Sequence, residues 1–494
     1  EAIGVTENFF ELGGDSIISL QAVSRAGAQG LAFTPKQLFE AQTIRALARL
    51  AVDAAPQVAQ VLHSVPFAQV SAAVQVDRNS LDDLYPLSPM QQGMLFHCIE
   101  SPELNLYVNQ LSVAVEGLQV ERFCAAWEAL LERHEVLRAA FLWRDGLADP
   151  LQAVYQQARV PIVELDWREH GEPDAALQAL AAQDQARGFD LSCPPLMRFT
   201  LVRLGDNRHQ MIWTYHHLLL DGWSASRLLG EMLRLYARQS LPQLSGRYAD
   251  YIQWLAQQDV SVAEGFWREQ LAALQAPTIL ANAANTDGRG HGVLYTYLDS
   301  DATRRLHAFA SQQRVTLNTV VQAAWLLLLQ RHTGQRSVAF GATVAGRPTG
   351  LAGAQDMLGL FINTLPVIQT LDPQQALGDW LRQLQAYNLS IRDFEHTPLA
   401  DIQRWAGQGG QGLFDSIIVF ENHPVDRALR GEQDGELKFA EVGSGGVTNF
   451  PMDLMVSATD QGLEVEYLYL RERFSAPEVE HIRAQFEGLL AQLP

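Results

Sequence analysis

Residues 215–224 read YHHLLLDGWS and contain the densest group of polar, chemically useful side chains in the chain. The preceding residues, Gln210 to His216 (QMIWTYH), are rich in β-formers and predict a strand. Helical spacing of apolar residues returns from Ala225 to Tyr236. His216 and His217 are therefore expected at the end of a strand, with Asp221 and Gly222 just before a helix that begins near Trp223.

The two adjacent histidines do not predict a metal site. Neighbouring side chains of a strand point to opposite faces, so His216 and His217 cannot easily bind one ion. No third ligand follows at a customary spacing. We expect one histidine to face a cleft and the other to pack behind it.

Helical and strand patterns interleave on both sides of this stretch. Residues 119–133, 301–313 and 318–332 have helical periodicity, whereas residues 337–344, 414–420 and 462–470 are typical of strands. This alternation predicts an α/β arrangement with two lobes.

Composition bounds the possible functions. A chain of 494 residues is long enough for about two or three domains. The formal charge is -20, with 56 acidic against 36 basic residues, and this argues against nucleic acid as a partner. The longest apolar runs, such as Ala323 to Leu329, are much shorter than the roughly 20 residues that span a bilayer.

Cysteine usage indicates a reducing compartment, most simply the cytoplasm. Cys98, Cys124 and Cys193 are scattered, odd in number and outside any CxxC pair, so neither a disulfide framework nor a zinc site is expected. No signal peptide pattern follows Glu1. The chain begins in the middle of a pattern, and we expect it to be a piece of a longer protein.

A small domain is expected at residues 1–52, followed by a linker at residues 53–80. Apolar residues recur at helical spacing in 16–28 and again in 43–51. The linker has no clean period, and as a flexible coil it would reach roughly 30 Å.

Ser16 is the first chemical signal. Residues 12–17 read LGGDSI, so a glycine-rich turn leads into a helix whose N-terminus favours a phosphate on the serine oxygen. Taken alone, this short motif is better explained by a serine that caps the helix.

The surrounding residues resemble the carrier domains of nonribosomal peptide synthetases. The similarity includes NFFE at 8–11, Pro35, Leu38-Phe39 and Thr43-Ile44. It implies that Ser16 carries 4′-phosphopantetheine, which a phosphopantetheinyl transferase attaches and whose thiol holds the growing peptide as a thioester. In that family the first helix lies upstream of the residue matching Glu1, so the resemblance covers a partial carrier domain.

The central motif, HHxxxDG at 216–222, resembles that of condensation domains and of the wider chloramphenicol-acetyltransferase-like superfamily. Further matches occur in the family's order over most of residues 82–494: LSPMQQGM at 87–94, RHEVLR at 133–138, YADY at 248–251 with Trp254, GRP at 346–348, GLFINT at 359–364 and FDS at 414–416.

This second resemblance implies a V-shaped pair of acetyltransferase-like lobes, residues 81–275 and 276–494, with a tunnel between them. A peptidyl thioester would enter from one face and an aminoacyl amine from the other, forming an amide bond. The partners implied are an upstream adenylation domain and downstream adenylation and carrier domains of a synthetase for an antibiotic or siderophore.

The resemblance also assigns roles to residues. It implies that His217 is catalytic, with His216, Asp221 and Gly222 forming the rest of the motif. We expect Asp221 to be structural and paired with Arg347, and His134 and Arg138 to serve packing and ion pairing. Trp223, Ser224 and Asn363 are expected to be structural or to contact substrate. The sequence contains no GxSxG motif, so a covalent acyl-enzyme is not expected.

Two alternatives remain open from the sequence. An epimerisation domain shares the HHxxxDG motif, and Asp15 before Ser16 resembles carriers that feed epimerases. Against it, GWS at 222–224, the run at 93–97 and the run at 361–366 resemble condensation domains, whereas GRGHG at 288–292 matches the epimerase sequence only vaguely. A non-catalytic carrier-docking module is the alternative from another class.

Overall fold

The computed structural model describes residues 4–9, 22, 26, 31–33, 37–38, 41–53, 78–143, 149–170, 173–281, 288–407, 412–421, 437–446, 448–459 and 462–493. Ser16, most of the helix predicted at 16–28 and linker residues 54–77 lie outside this part of the chain. The helix predicted at 43–51 is present as the shorter helix Ile44–Leu47, and Thr43 caps it by accepting a hydrogen bond from the Ala46 amide.

The first large sheet, called here the N-terminal sheet, has five strands. Their order across the sheet is Lys438–Gly445, Val108–Glu116, Arg208–His216, Met197–Arg203 and Ile162–Asp166. All contacts in it are antiparallel except the last pair. Its core contains a cluster of aromatic rings formed by Phe123, Trp127, Phe199 and Trp213, in which Phe199 stacks on Trp213 and meets Phe123 edge to face.

The second large sheet, the C-terminal sheet, has six strands. Their order is His291–Asp299, Gly462–Leu470, Met452–Thr459, Ser416–Glu421, Ser337–Val344 and Asn363–Thr370. Helices Leu317–Thr333 and Ala476–Gln492 contribute to a separate hydrophobic core with this sheet. The predicted α/β arrangement with two lobes is thus present.

Smaller elements complete the two lobes. A three-stranded sheet is formed by Leu81–Pro86, Leu151–Tyr155 and Ala139–Leu142, in that order. Within the described ranges, the remaining helices of seven residues or more are Pro89–Glu100, Val120–Arg133, Pro173–Ala186, Gly222–Tyr236, Tyr248–Ala256, Val260–Leu271, Ser300–Gln313, Leu377–Ser390 and Leu399–Trp405. None of the helices in the described ranges has the length and apolarity to cross a membrane.

One strand differs from the division into lobes expected from the sequence. Residues 438–445 belong to the second half of the chain, yet they pair with Val108–Glu116 at the edge of the N-terminal sheet. An edge strand otherwise presents unpaired amides and carbonyls, and this pairing satisfies them. A division of the chain near residue 275 therefore does not assign every strand to the sheet of its own half, because residues 438–445 belong to the N-terminal sheet.

Candidate active site

The candidate active site lies where strand Arg208–His216 ends and helix Gly222–Tyr236 begins. The strand ladder with Val108–Glu116 ends at the Val108–His216 pair, and the His217 amide then donates to the Tyr107 carbonyl at 2.8 Å. The predicted strand, turn and helix are all present, and the helix begins one residue earlier than expected.

His216 packs in the interior. It is 2% exposed, and its Nδ1 accepts a hydrogen bond from the Leu218 amide at 3.2 Å. The neutral ring therefore carries its proton on Nε2, which lies 3.7 Å from Sγ of Cys98. Burial, together with the neighbouring His217, lowers the pKa of His216 to about 3. A ring held neutral in this way serves as packing between the turn and helix Pro89–Glu100.

His217 differs from His216 both in exposure and in the ring nitrogen that carries the proton. The residue as a whole is partly exposed, and Nδ1 lies 2.7 Å from the Leu220 carbonyl oxygen. A carbonyl can only accept, so Nδ1 carries the proton and the neutral ring keeps a lone pair on Nε2. Burial lowers the pKa of His217, although the Leu220 carbonyl and the Asp221 charge oppose that shift. No hydrogen bond to Nε2 is present among the described residues.

Asp221 is fully buried and bonded to the framework on both oxygens. Oδ1 accepts from the Ser224 amide at 2.7 Å, which caps helix Gly222–Tyr236, and Oδ2 accepts from the Phe361 amide at 3.0 Å. Nη2 of Arg347 lies 3.4 Å from Oδ1, and neither side chain is exposed. The expected pair between Asp221 and Arg347 is present, and it joins the turn to the second half of the chain.

Arg347 is held in place by several contacts. Its Nη1 donates to two backbone carbonyls, at 2.5 and 2.9 Å, and its Nη2 donates to Oγ of Ser224 at 2.8 Å. The guanidinium lies 4.0 Å from the centroid of the Phe361 ring and 5.5 Å from that of Trp223. Burial lowers the pKa of Arg347, and the adjacent Asp221 charge opposes this. The charge of Arg347 thus interacts with buried groups of the protein itself, chiefly Asp221.

Ser224, Trp223 and Asn363 also bond to the framework. Ser224 is fully buried, and its hydroxyl donates to the Gly359 carbonyl at 2.8 Å. The indole of Trp223 donates to the Gln355 carbonyl at 3.3 Å. The amide nitrogen of Asn363 donates to two backbone carbonyls at 2.9 and 2.6 Å. Of the two roles left open for these residues, the observed contacts favour the structural one.

Gly222 differs from the other residues of the motif because it is exposed. A Cβ built on it meets no heavy atom within 4 Å. The first residue of the helix, five positions after His217, therefore borders open space rather than packed protein.

The two residues expected to serve packing do so. His134 is buried, with Nε2 2.7 Å from a carboxylate oxygen of Glu231, and Arg138 pairs with Asp82 at 2.6 Å. Tyr107 and Cys98 also contact the site, but no sequence motif distinguished them. Within the described residues, no cluster of three or more His, Cys, Asp or Glu side chains could hold a metal ion.

The fold and the site together define a class of protein. Two α/β lobes are joined by the buried Asp221–Arg347 pair, and His217 lies on a strand-to-helix turn next to that pair. Residues 82–493 match the family model described as the condensation domain, and residues 1–51 match the one described as the phosphopantetheine attachment site. The chain belongs to the condensation-domain family of nonribosomal peptide synthetases, as the sequence predicted.

Curated relatives are large peptide synthetases. The chain is 40% identical to one linear gramicidin synthase polypeptide of Brevibacillus parabrevis over 428 residues, which cover 84% of this chain and 6% of that relative. It is 39% identical to a second linear gramicidin synthase polypeptide of the same organism over 442 residues, covering 84% of this chain and 8% of the relative. For chondramide synthase of Chondromyces crocatus the identity is 36%, with 80% and 11% covered. The chain thus spans a small part of the relatives it matches.

Solved structures share the fold. The first condensation domain of the calcium-dependent antibiotic synthetase superposes with a TM-score of 0.69 at 19% identity, covering 83% of this chain and 96% of that one. The starter condensation domain of rhizomide synthetase gives 0.71 at 20% identity, with 86% and 96% covered. These similarities confirm the expected condensation-domain fold.

Proposed function

We propose that this chain transfers a peptidyl group from an upstream carrier thioester to the α-amine of an aminoacyl group on a downstream carrier. The observation that carries the proposal is the hydrogen bond from Nδ1 of His217 to the Leu220 carbonyl. It leaves Nε2 as a proton acceptor on the turn that leads into the exposed Gly222.

In the proposed reaction the amine nitrogen bonds to the thioester carbonyl carbon, and the carbon–sulfur bond then breaks. A free α-amine has a pKa near 8, so roughly a tenth is neutral at pH 7. The larger tasks are to remove the second proton after attack and to orient two substrates. Orientation can contribute about 7 to 11 kcal/mol, and a positioned base about 10²- to 10⁴-fold in rate.

We assign these tasks to different residues. His217 accepts the proton from the amine at Nε2 and passes it to the leaving sulfur, while His216 packs behind it. Asp221 and Arg347 hold the turn on which His217 stands. Gly222 leaves room for the reacting groups.

The donor carrier is assigned to residues 1–52. The phosphopantetheine attachment site at residues 1–51 matches this segment. Ser16 is its matching serine; it lies outside the described residues, so none of its contacts is described. We propose that a phosphopantetheinyl transferase modifies Ser16, and that the arm's thiol then holds the donor as a thioester. A reducing compartment, the cytoplasm, would keep that thiol free.

The partners we propose are the other domains of a synthetase. An upstream adenylation domain would load Ser16, and downstream adenylation and carrier domains would supply the acceptor. Curated relatives that are much longer than this chain are consistent with such neighbours.

Transfer between carriers tests this function. A peptidyl donor carrier and an aminoacyl acceptor carrier are mixed with the chain, and the masses of both are followed by intact-protein mass spectrometry. Movement of the peptide mass to the acceptor supports amide formation. A donor that stays in place and exchanges its α-hydrogen in deuterated water would establish epimerisation instead. If neither transfer nor hydrogen exchange is observed, carrier docking remains as the function and the proposal is contradicted.

Gly222→Leu should reduce transfer more than tenfold without destabilising the fold. The new side chain meets no packed atoms near its Cβ. Under the proposal, it would occupy the space that we assign to the reacting groups. Gly230 in the same helix also has no heavy atom within 4 Å of a built Cβ, so Gly230→Leu is the matched control and should keep its rate. Normal transfer by Gly222→Leu would show that this space is not used.

Below pH 7.5 the single-turnover rate of transfer should depend on the protonation of one group, the attacking amine. Neutral amine falls tenfold per pH unit below its pKa near 8. Because burial lowers the pKa of His217, its ring stays neutral as the pH falls through 6.5. The logarithm of the single-turnover rate should therefore keep a slope of about one through pH 6.5. A slope that steepens to two at that pH would mean that His217 titrates normally.

A further inference from the structure

The backbone of Tyr107 adopts a left-handed conformation beside the candidate active site. Its φ is 64°, which is uncommon for a residue with a large side chain. This turn directs the Tyr107 carbonyl to the His217 amide, at 2.8 Å. The hydrogen bond extends the strand ladder by one residue, to the residue whose ring carries the free Nε2.

The side chain of Tyr107 belongs to a closed cycle of three hydrogen bonds. The hydroxyl, in a residue that is 4% exposed, donates to Oδ1 of Asn449 at 2.9 Å and lies 2.9 Å from Nδ1 of His97. Nδ2 of Asn449 lies 3.5 Å from Nε2 of His97. Each of the three side chains therefore contacts both of the other two.

With Oδ1 of Asn449 facing the Tyr107 hydroxyl, one distribution of protons satisfies the cycle. Because the hydroxyl proton goes to Asn449, Nδ1 of His97 must donate to the Tyr107 oxygen, and Nε2 of His97 must be the acceptor for the Asn449 amide. This requires a neutral imidazole. Burial lowers the pKa of His97, which favours that form, although Glu100 opposes the shift.

The cycle joins distant parts of the chain. His97 lies on helix Pro89–Glu100, Tyr107 precedes strand Val108–Glu116, and Asn449 lies between strands Lys438–Gly445 and Met452–Thr459. A strained backbone conformation persists only where its surroundings determine it. Here the surroundings are side chains from both halves of the chain, which hold the Tyr107 ring and with it the carbonyl.

We propose that Tyr107 is a positioning residue for His217, held by His97 and Asn449. Its carbonyl accepts a hydrogen bond from the His217 amide and so fixes the backbone that carries the His217 ring. The hydrogen bonds of its hydroxyl hold the side chain, and thereby keep the carbonyl in position. The inference rests on the proposed role of His217 as the proton acceptor.

Tyr107→Phe tests the inference, because it removes the hydroxyl and keeps the ring. We expect the maximal rate of transfer to fall about 10- to 100-fold, the loss that a small misplacement of a catalytic group causes. The acceptor concentration at half-maximal rate should not change. Both quantities are measured with the full chain and separate donor and acceptor carriers.

Tyr236→Phe is the matched control. Tyr236 is 2% exposed, lies in the same hydrophobic core, and has a hydroxyl that accepts from the Gln119 amide at 2.8 Å and donates to the Gly117 carbonyl at 3.2 Å. It stands at the far end of helix Gly222–Tyr236, about 20 Å from the motif. Both variants should lose similar thermal stability, but only Tyr107→Phe should lose rate.

A double variant separates positioning from general loosening. If Tyr107 and Asn449 act as one unit, Tyr107→Phe combined with Asn449→Leu should be no slower than the slower single variant. Additive losses, equal rate losses in both tyrosine variants, or a Tyr107→Phe rate within twofold of normal would overturn the inference. An inactive His217→Ala beside a normal Tyr107→Phe would overturn the inference alone. An active His217→Ala would overturn the proposed role of His217 and the inference together.

Discussion

His217→Ala should slow amide formation by about 10²- to 10⁴-fold, the contribution of a positioned base. The structure supports this expectation through the tautomer of the ring, because the Leu220 carbonyl holds the proton on Nδ1 and leaves Nε2 to accept. Alanine removes that acceptor and leaves the rest of the turn in place. Single-turnover transfer between two carriers, followed by mass spectrometry, measures the loss.

His307→Ala serves as the control for this variant. His307 is exposed on helix Ser300–Gln313 in the other lobe, and its replacement should leave transfer unchanged. Thermal unfolding of both variants should occur near the temperature of the unmodified chain. Near-normal product formation by a folded His217→Ala would exclude His217 as the base.

Arg347→Met should destabilise the fold by about 3 to 5 kcal/mol, the cost of leaving a buried charge without its partner. Asp221 would remain fully buried, with two backbone amides but no cation. The loss of free energy of unfolding is measured by chemical denaturation. Transfer should fall as well, because the turn that carries His217 is anchored through this pair.

Two further variants test the reason for that loss. Arg347→Met combined with Asp221→Asn removes both charges and should be more stable than Arg347→Met alone. Arg168→Met breaks an exposed pair with Asp166, whose side chains are 43% and 53% exposed, and should leave the stability almost unchanged. If Arg347→Met were no worse than Arg168→Met, the buried pair would not be what holds the turn.

Local pattern was enough to predict most elements near the site. The strands predicted at residues 337–344 and 462–470 are present with those bounds, and the helix predicted at 119–133 is present as Val120–Arg133. Period-two alternation also predicted that the two histidines differ, and His216 is buried whereas His217 is partly exposed. These features depend on residues close together in the chain, which is why a sequence can indicate them.

Contacts between distant residues could not be predicted in the same way. The pairing of residues 438–445 with strand Val108–Glu116 depends on which sheet edge lies nearby in three dimensions. The hydrogen bonds of Tyr107 with His97 and Asn449 likewise join residues far apart in the chain. The exception was the pair of Asp221 with Arg347, which family resemblance rather than local pattern suggested.

The proposed mechanism depends on a lone pair at Nε2 of His217 near neutral pH. Nitrogen-15 NMR of the chain labelled at histidine, with His217→Gln to assign the signal, reports the protonation of each ring nitrogen directly. We expect a neutral ring protonated on Nδ1 at pH 6.5, with a pKa below that value. A ring protonated on Nε2, or one that is a cation at pH 6.5, would contradict the assignment of His217 as the proton acceptor.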